Sequence, residues 1–220
     1  MKPSPFVAFL ALMLASGFAA EARAGAILQA ASCSTNMGTY LYGPEHACNQ
    51  GGLSAGYTSQ VTDFDAYIGT NPTHDSNQGT QQSWNSNFVP TGNFDFNLGG
   101  TFTIESFALW NYGSGQAGNA RGFDLLADDN AAFSSATFLG SFDANPNTAG
   151  ASAVLAQVFA FAPTSAAFVR MRITSNQLAA NITVIGEAAF ELAGTVPEPA
   201  SLALVGLGLA GLGFSRRKRG

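Results

Sequence analysis

The middle of this 220-residue sequence predicts an all-β sandwich. Several windows alternate apolar and polar residues with period two, and few keep a period of 3.6. Turn formers recur between these runs, as expected where short strands follow one another. The chain has 18 phenylalanines, and those in the runs would be buried between two facing sheets.

The strands are read in order. Phe94, Phe96 and Leu98 alternate with Asp95 and Asn97, and Phe102 and Ile104 continue the pattern. The phase flips at Glu105-Ser106, after which Phe107 and Leu109 take the inner face, a slip that predicts a bulge or turn. Phe123, Leu125 and Ala127 alternate with Asp124, Leu126 and Asp128; Val169, Met171 and Ile173 alternate with Arg170 and Arg172. Residues 158–161 and 182–185 are short apolar runs, and 187–192 ends the domain. Asn71-Pro72, Pro90-Thr91-Gly92, Gly99-Gly100, residues 113–118, Asn145-Pro146 and Pro163 punctuate them. Residues 69–93 read as a long polar loop with one edge strand.

Both ends differ from this body. Lys2, the apolar stretch 6–20 and Ala22-Arg23-Ala24 form a signal-peptide layout with cleavage before Gly25. At the other end, residues 200–214 carry no charge. As a helix they would cover only about 22 Å, against a bilayer core of about 30 Å. Pro197 and Pro199 break any structure running in, and Arg216, Arg217, Lys218 and Arg219 would hold the far end in the cytoplasm. Pro197-Glu198-Pro199 would then face outward, open to a processing enzyme. This order of motif, short apolar helix and basic tail resembles the PEP-CTERM sorting signal of Gram-negative bacteria. The resemblance implies an exosortase as partner, contact with the membrane through the C-terminal segment before processing, and an envelope or exopolysaccharide setting.

The expected organisation is a signal peptide over 1–24, an N-terminal strand and disulfide loop over 25–54, the sandwich over 55–193 and the sorting signal over 194–220. Charge is unevenly spread among these parts. The chain carries −5 overall, but residues 25–195 hold three arginines against twelve acids, a net of −9, and no lysine. Phosphate contacts need Lys and Arg, so a nucleic-acid partner is excluded. Cys33 and Cys48 are the only cysteines, and in an exported chain they read as one disulfide. A metal site is the rival reading, poorly supported because the pair lacks Cys-x-x-Cys spacing and only His46 lies near.

Several strings in the body follow the order of a discoidin, or coagulation factor type C, domain. These are Trp84-Asn85-Ser86, Phe94-Asp95-Phe96-Asn97-Leu98-Gly99 and Ile104-Glu105-Ser106-Phe107-Ala108-Leu109-Trp110-Asn111, then Gly122-Phe123-Asp124-Leu125-Leu126, Phe168-Val169-Arg170-Met171 and Glu187-Ala188-Ala189-Phe190. The body resembles that family over roughly residues 55–193. The resemblance implies a galactose-binding-like jelly roll with sugar- or lipid-binding loops at one end. The family often carries an arginine two positions before the late Val-Arg; here Ala167 stands there.

Two motifs point to chemistry that their context does not support. Gly52-Leu53-Ser54-Ala55-Gly56 matches a nucleophile elbow, with Asp63, Asp65 and His74 following in hydrolase order. The elbow needs a strand before it and a helix after it, whereas Asn-Gln-Gly precedes and a Tyr-Thr-Ser strand is expected to follow. Gly113-Ser114-Gly115-Gln116-Ala117-Gly118 matches a dinucleotide loop but runs into strand-like Gly122-Phe123-Asp124-Leu125, with no helix N-terminus to hold a pyrophosphate.

That loop is nevertheless the best binding candidate. Trp110, Asn111, Tyr112, Asn119 and Arg121 supply an aromatic face with amide and guanidinium donors, suited to a sugar ring and its hydroxyls. The bland alternative puts Trp110 in the core and pairs Arg121 with Asp124 or Asp128. Asp63, Asp65, Asp128 and Asp129 are candidate Ca²⁺ ligands, without EF-hand spacing. His46 and His74 receive no role. The sequence therefore predicts an exported, non-catalytic jelly-roll-like β-sandwich that binds a polysaccharide or acts as an adhesive. The rival readings are a structural matrix protein without a ligand, then a hydrolase.

Overall fold

A computed structural model describes residues 25–75, 82–112, 118–145 and 153–194. The chain divides into two compact units, Met1–Arg23 with Gly194–Gly220, and Ala24–Ala193. The described residues belong almost wholly to the second unit. The expected signal peptide and the sorting residues Pro197, Glu198, Pro199, Arg216, Arg217, Lys218 and Arg219 lie outside them, as do the glycine-loop residues 113–117. No helix among the described residues is long and apolar enough to cross a membrane.

The unit is an antiparallel β-sandwich. Its strands are β1 (Ile27–Leu28), β2 (Ser32–Thr35), β3 (Thr73–Asp75), β4 (Trp84–Asn85), β5 (Gly92–Trp110), β6 (Gly122–Asp128), β7 (Thr137–Asp143), β8 (Ala153–Leu155), β9 (Gln157–Ile173), β10 (Val184–Ile185) and β11 (Glu187–Leu192). One short helix, α1, spans Phe64–Gly69. The main sheet runs β1-β11-β5-β9-β6-β7, with β2 also on β5; β10-β4 and β3-β8 form two small pairs. The two N-terminal strands thus pair with β11 and β5, inside the sandwich and not ahead of it.

The long β5–β9 ladder makes both layers. Pairing runs from Gly92↔Ile173 to Asn97↔Phe168, then resumes at Phe102↔Ala166. Leu98, Gly99, Gly100 and Thr101 therefore oppose Ala167 alone. Gly99 takes φ +82° there, which a side chain would resist, and its N–H donates to Asn97 Oδ1 at 2.9 Å. Such a bulge bends the strands and raises their twist, and rings from the two halves of the ladder meet. Phe96 lies 5.8 Å from Phe107 and 5.4 Å from Phe190; Phe123 lies 6.0 Å from Phe107 and 5.1 Å from Phe159. A second register shift falls between Ile104 and Ser106, where the alternation flips in the sequence.

A smaller apolar cluster covers the outer face of the same ladder. Ile27, Tyr57, Phe64, Tyr67, Ala108, Trp110 and Ala189 pack together, so both faces of 107–110 are buried. The segment following Gly56 is not the expected strand. Residues 58–62 turn, Asp63 caps α1 by accepting from Ala66 N–H at 2.8 Å, and Phe64 and Tyr67 point inward. The expected strand fails because the chain turns at once, Val61 and Thr62 both donating their N–H to Thr58 O, and Phe64 and Tyr67, three residues apart, then bury one face of α1. Cys33 and Cys48 are joined by a disulfide.

Candidate functional site

A cleft of about 360 Å³ opens where three extended segments run side by side. β3 pairs with β8 through Thr73↔Leu155, His74↔Val154 and Asp75↔Ala153. On its other side, residues 52–54 bond along β3. Ser54 N–H donates to Thr73 O at 2.7 Å, Thr73 N–H donates to Ser54 Oγ at 3.0 Å, and Asp75 N–H donates to Gly52 O at 2.7 Å. Strand alternation places Thr73 and Asp75 on one face and buries His74 on the other. Gly52, Leu53, Ser54, Thr73, Asp75, Gln82 and Ala153 line the cleft, a mixture of hydroxyl, carboxylate and carboxamide groups with small residues between.

His74 lies behind this lining, wedged between two glycines. A Cβ at Gly52 would stand 2.7 Å from its Nε2, and one at Gly186 2.8 Å from its Nδ1. Gly52 also has φ +82°, so this position needs glycine twice over. Burial lowers the His74 pKa below the usual histidine value, against the backbone of Gln82, Gly51 and Asp75, which pulls it up. Ser54 Oγ is engaged by Thr73 N–H, and Asp63 caps α1; the three members of the hydrolase motif do separate structural jobs.

Beside the cleft, Glu187 is fully buried at the start of β11. Its carboxylate accepts from Asn49 N–H at 3.2 Å, Gln50 N–H at 2.6 Å and Ala188 N–H at 3.2 Å. Burial raises its pKa to about 8, against the pull of those three donors. Burial, with Glu187 as a further cause, also raises the pKa of Tyr57, and raises that of Tyr67 to about 12. Glu187 ties the turn that leads into Gly52–Ser54 to the sandwich.

The loop candidates are placed as follows. Trp110 is in the core, its indole N–H donating to Pro72 O at 2.9 Å. Asn111, Tyr112 and Asn119 are buried too. Asn111 Nδ2 donates to Ala120 O at 2.9 Å, while Asn111 Oδ1 and both polar side-chain atoms of Asn119 have no partner among the described residues. Arg121 is half exposed and pairs with Asp143 at 3.1 Å, not with Asp124 or Asp128. The other two guanidiniums are engaged as well, Arg170 with Asp95 at 2.7 Å and Arg172 with Asp124 at 2.6 Å. Hydrogen bonds from Ser141 and Arg172 hold the Asp124 pKa below the usual carboxylate range.

The acids considered for Ca²⁺ are scattered. Asp63 and Asp65 lie at the start of α1. Asp128 turns both oxygens onto its own loop, accepting from Asp129 N–H, Asn130 N–H and Nδ2, and Ser135 N–H and Oγ–H. No group of three or more His, Cys, Asp or Glu among the described residues could hold a metal ion. Thr73, Asp75 and Gln82, which the sequence reading did not select, gather only because β3 pairs on both sides. The run from Thr73 to Gln82 holds no apolar side chain, so no periodicity in the sequence marks them.

Comparison with known proteins separates the two parts of the chain. No curated protein matches it in sequence. Among solved structures, the family 32 carbohydrate-binding module of Clostridium perfringens NanJ, determined with galactose, is 14% identical, with a TM-score of 0.50 over 72% of this chain and 91% of that one. The third family 32 module of a family 31 glycoside hydrolase from Clostridium perfringens is 10% identical, with a TM-score of 0.51 over 76% of this chain and 90% of that one. At this identity the likeness is one of fold. Residues 195–218 match the PEP-CTERM protein-sorting motif. The chain therefore joins a PEP-CTERM sorting motif to a β-sandwich with the fold of family 32 carbohydrate-binding modules and discoidin-like domains.

Proposed function

We propose that this protein is exported to the surface of a Gram-negative bacterium, is processed at its C-terminus by an exosortase, and binds an envelope or matrix polysaccharide without transforming it. The observation that carries the binding reading is the cleft between residues 52–54, β3 and Gln82. Its hydroxyl, carboxylate and carboxamide groups suit sugar hydroxyls, and the pairing of β3 on both sides holds them in place. Ser54 Oγ accepts from the Thr73 N–H and meets no base among the described residues, which favours binding over hydrolysis. The sorting motif supports the surface destination.

A second reading places the ligand against Asn111 and Asn119. Asn111 and Asn119 favour it, because buried carboxamides with open hydrogen-bonding capacity are costly unless something meets them. The two readings separate by mutation. Asp75→Ala and Gln82→Ala should each weaken binding about 3- to 10-fold if the cleft holds the sugar, from hydrogen bonds worth about 0.5–1.5 kcal/mol. Asn111→Ala and Asn119→Ala should do so if the loop does. The measurement is titration of soluble polysaccharides into the purified unit Ala24–Ala193. No binding across neutral and acidic polysaccharides would favour a structural matrix protein. Release of reducing sugar that stops in Ser54→Ala would favour the hydrolase.

A further inference from the structure

We propose that cleavage before Gly25 creates an α-ammonium group that locks onto the carboxylate of Glu191, so that processing of the N-terminus completes an ion pair at the edge of the sandwich. The proposal rests on the export reading above and goes beyond it, because it gives the cleavage a structural consequence.

The backbone holds Gly25 close against β11. β1 pairs with β11 through Ile27↔Glu191 and Leu28↔Phe190, and Leu192 N–H donates to Ala26 O at 2.9 Å. On the other side Ala26 bridges Asp63, Phe64 N–H donates to Gly25 O at 2.9 Å and Ile27 N–H donates to Thr62 O at 2.8 Å. Gly25 is buried, and a Cβ there would collide with the Leu192 carbonyl oxygen and stand 3.0 Å from Glu191 Cγ. Signal cleavage calls for small residues before the cut, here Ala22 and Ala24. The glycine after the cut is demanded by the fold.

The same close approach brings the Gly25 nitrogen to Glu191. Its N–H bonds the Glu191 carboxylate, which also accepts from the Ser106 hydroxyl. Glu191 is only 8% exposed. Burial, with repulsion from Asp65 and Glu105 as a further cause, raises its pKa above the usual carboxylate value, against the pull of those two donors. α1, β5 and β11 thus bring three acids together. No basic side chain of the body serves them. Residues 25–195 hold no lysine, and their three arginines pair with Asp143, Asp95 and Asp124. His46 lies beside Glu45, and His74 lies between Gly52 and Gly186. Nor do the three acids form a group that could hold a metal ion.

Hydrolysis of the Ala24–Gly25 peptide bond supplies the cation. A signal peptidase adds water across the C–N bond. The water oxygen ends on the Ala24 carboxylate, and both its hydrogens end on the Gly25 nitrogen. One amide N–H becomes an ammonium with three donors and a full charge, already placed against Glu191. An α-amino group has an unperturbed pKa of about 7.7–8.0, so it is charged at neutral pH. The opposite charge of Glu191 raises that pKa further. Charge-assisted hydrogen bonds are roughly twice as strong as neutral ones. β1 is the edge of the main sheet and is held to β11 by the two pairs above, so the ion pair fastens the chain end where the ladder is shortest.

The test uses the compact unit made to begin at Gly25, and its N-acetylated form, which restores the amide of the uncleaved chain. Because residues 25–195 lack lysine, the α-amine is the only amine to label. In the folded protein an amine reagent should label it at least about 10-fold more slowly than in urea, and the pH profile of labelling should place its pKa about one unit or more above 8. Stability from a raised amine pKa is complete below the unfolded value and is lost as pH rises through the folded one, so pH 7 reads it in full. There acetylation should raise the unfolding equilibrium constant about 10-fold. In Glu191→Gln, which keeps the shape and an acceptor but not the charge, acetylation should change it by less than about 2-fold. Other titrations of the sandwich are read on the acetylated protein, where this one is absent. An amine labelled equally fast folded and unfolded, with free and acetylated proteins equally stable, overturns the lock and leaves export standing. An equal effect of acetylation in Glu191→Gln overturns Glu191 as the partner. Intact mass of the exported protein tests the cleavage separately. A mature chain that begins anywhere but Gly25 overturns the cleavage, and with it the lock in the cell.

Discussion

Gln50 donates its backbone N–H to the buried carboxylate of Glu187, 137 residues later, at 2.6 Å. This contact joins the turn after the disulfide loop to the first residue of β11. Because burial lifts the Glu187 pKa to about 8, the folded protein holds that proton more tightly than the unfolded chain does. A raised carboxyl pKa gives stability that is complete below the unfolded value and is lost as pH rises through the folded one.

From pH 7 to 9 the wild type should therefore lose roughly 1 kcal/mol of unfolding free energy, at a slope of up to about 1.4 kcal/mol per pH unit. Glu187→Gln, which cannot ionise, should stay flat. His74 has the opposite slope, because its lowered pKa favours folding as pH rises towards about 6.5. Starting at pH 7 keeps the two apart. Urea unfolding at pH 7, 8 and 9 measures both proteins, and parallel slopes in them would remove Glu187 as the cause.

The Cys33–Cys48 bond should contribute about 3 kcal/mol, the expectation for a closed loop of 15 residues. Cys33→Ala/Cys48→Ala should unfold at correspondingly lower denaturant. Thiol labelling of denatured, unreduced wild type should find no free cysteine. Two labelled thiols per chain would mean that the bond does not form in the mature protein.

Arg170 meets Asp95 across β9 and β5 with two N–H···O contacts of 2.7 Å, and its guanidinium lies over the Phe133 ring. Asp95 lowers the cost of keeping this partly buried guanidinium charged and raises its pKa. A forked pair of this kind exceeds an ordinary surface ion pair. Arg170→Ala should cost about 1–2 kcal/mol, and Arg170→Lys should recover less than half of it, because lysine cannot reproduce the fork. A double-mutant cycle with Phe133→Ala should show coupling of about 0.5–1 kcal/mol. Additivity in that cycle would leave the ring as a bystander.

Much of this architecture is legible in the sequence where one face of a strand is buried. Phe94, Phe96 and Leu98, and Val169, Met171 and Ile173, alternate in the sequence and in the structure alike. The flip at Glu105-Ser106 marks a true register shift. What stayed hidden depended on distant partners. β7 is mostly exposed, so Thr137–Asp143 has no periodic burial to read. Trp110 looks like a surface aromatic beside a glycine loop, yet residues 57–67 cover it from far away in the chain. The cleft arises because β8 and residues 52–54 both pair with β3, and nothing local in either segment announces that.

The C-terminal motif carries the last prediction. The apolar stretch 200–214 is short and holds four glycines, so it would sit poorly across a bilayer of ordinary thickness. Tilting or local thinning could accommodate it at modest cost, so length alone does not separate an anchor from a removable address. The match of residues 195–218 to the sorting motif favours a removable address, because an anchor needs no Pro197-Glu198-Pro199 beside it. In a strain with an exosortase, the mature protein should lose both the apolar stretch and the basic tail Arg216-Arg217-Lys218-Arg219. Intact-mass measurement should place its C-terminus near the motif. In the same strain without the exosortase, the chain should keep its full C-terminus and remain with the membrane fraction. A protein that ends at Gly220 and stays membrane-bound when the exosortase is present would make the segment a lasting anchor, with the sandwich tethered to the surface of the cell that made it.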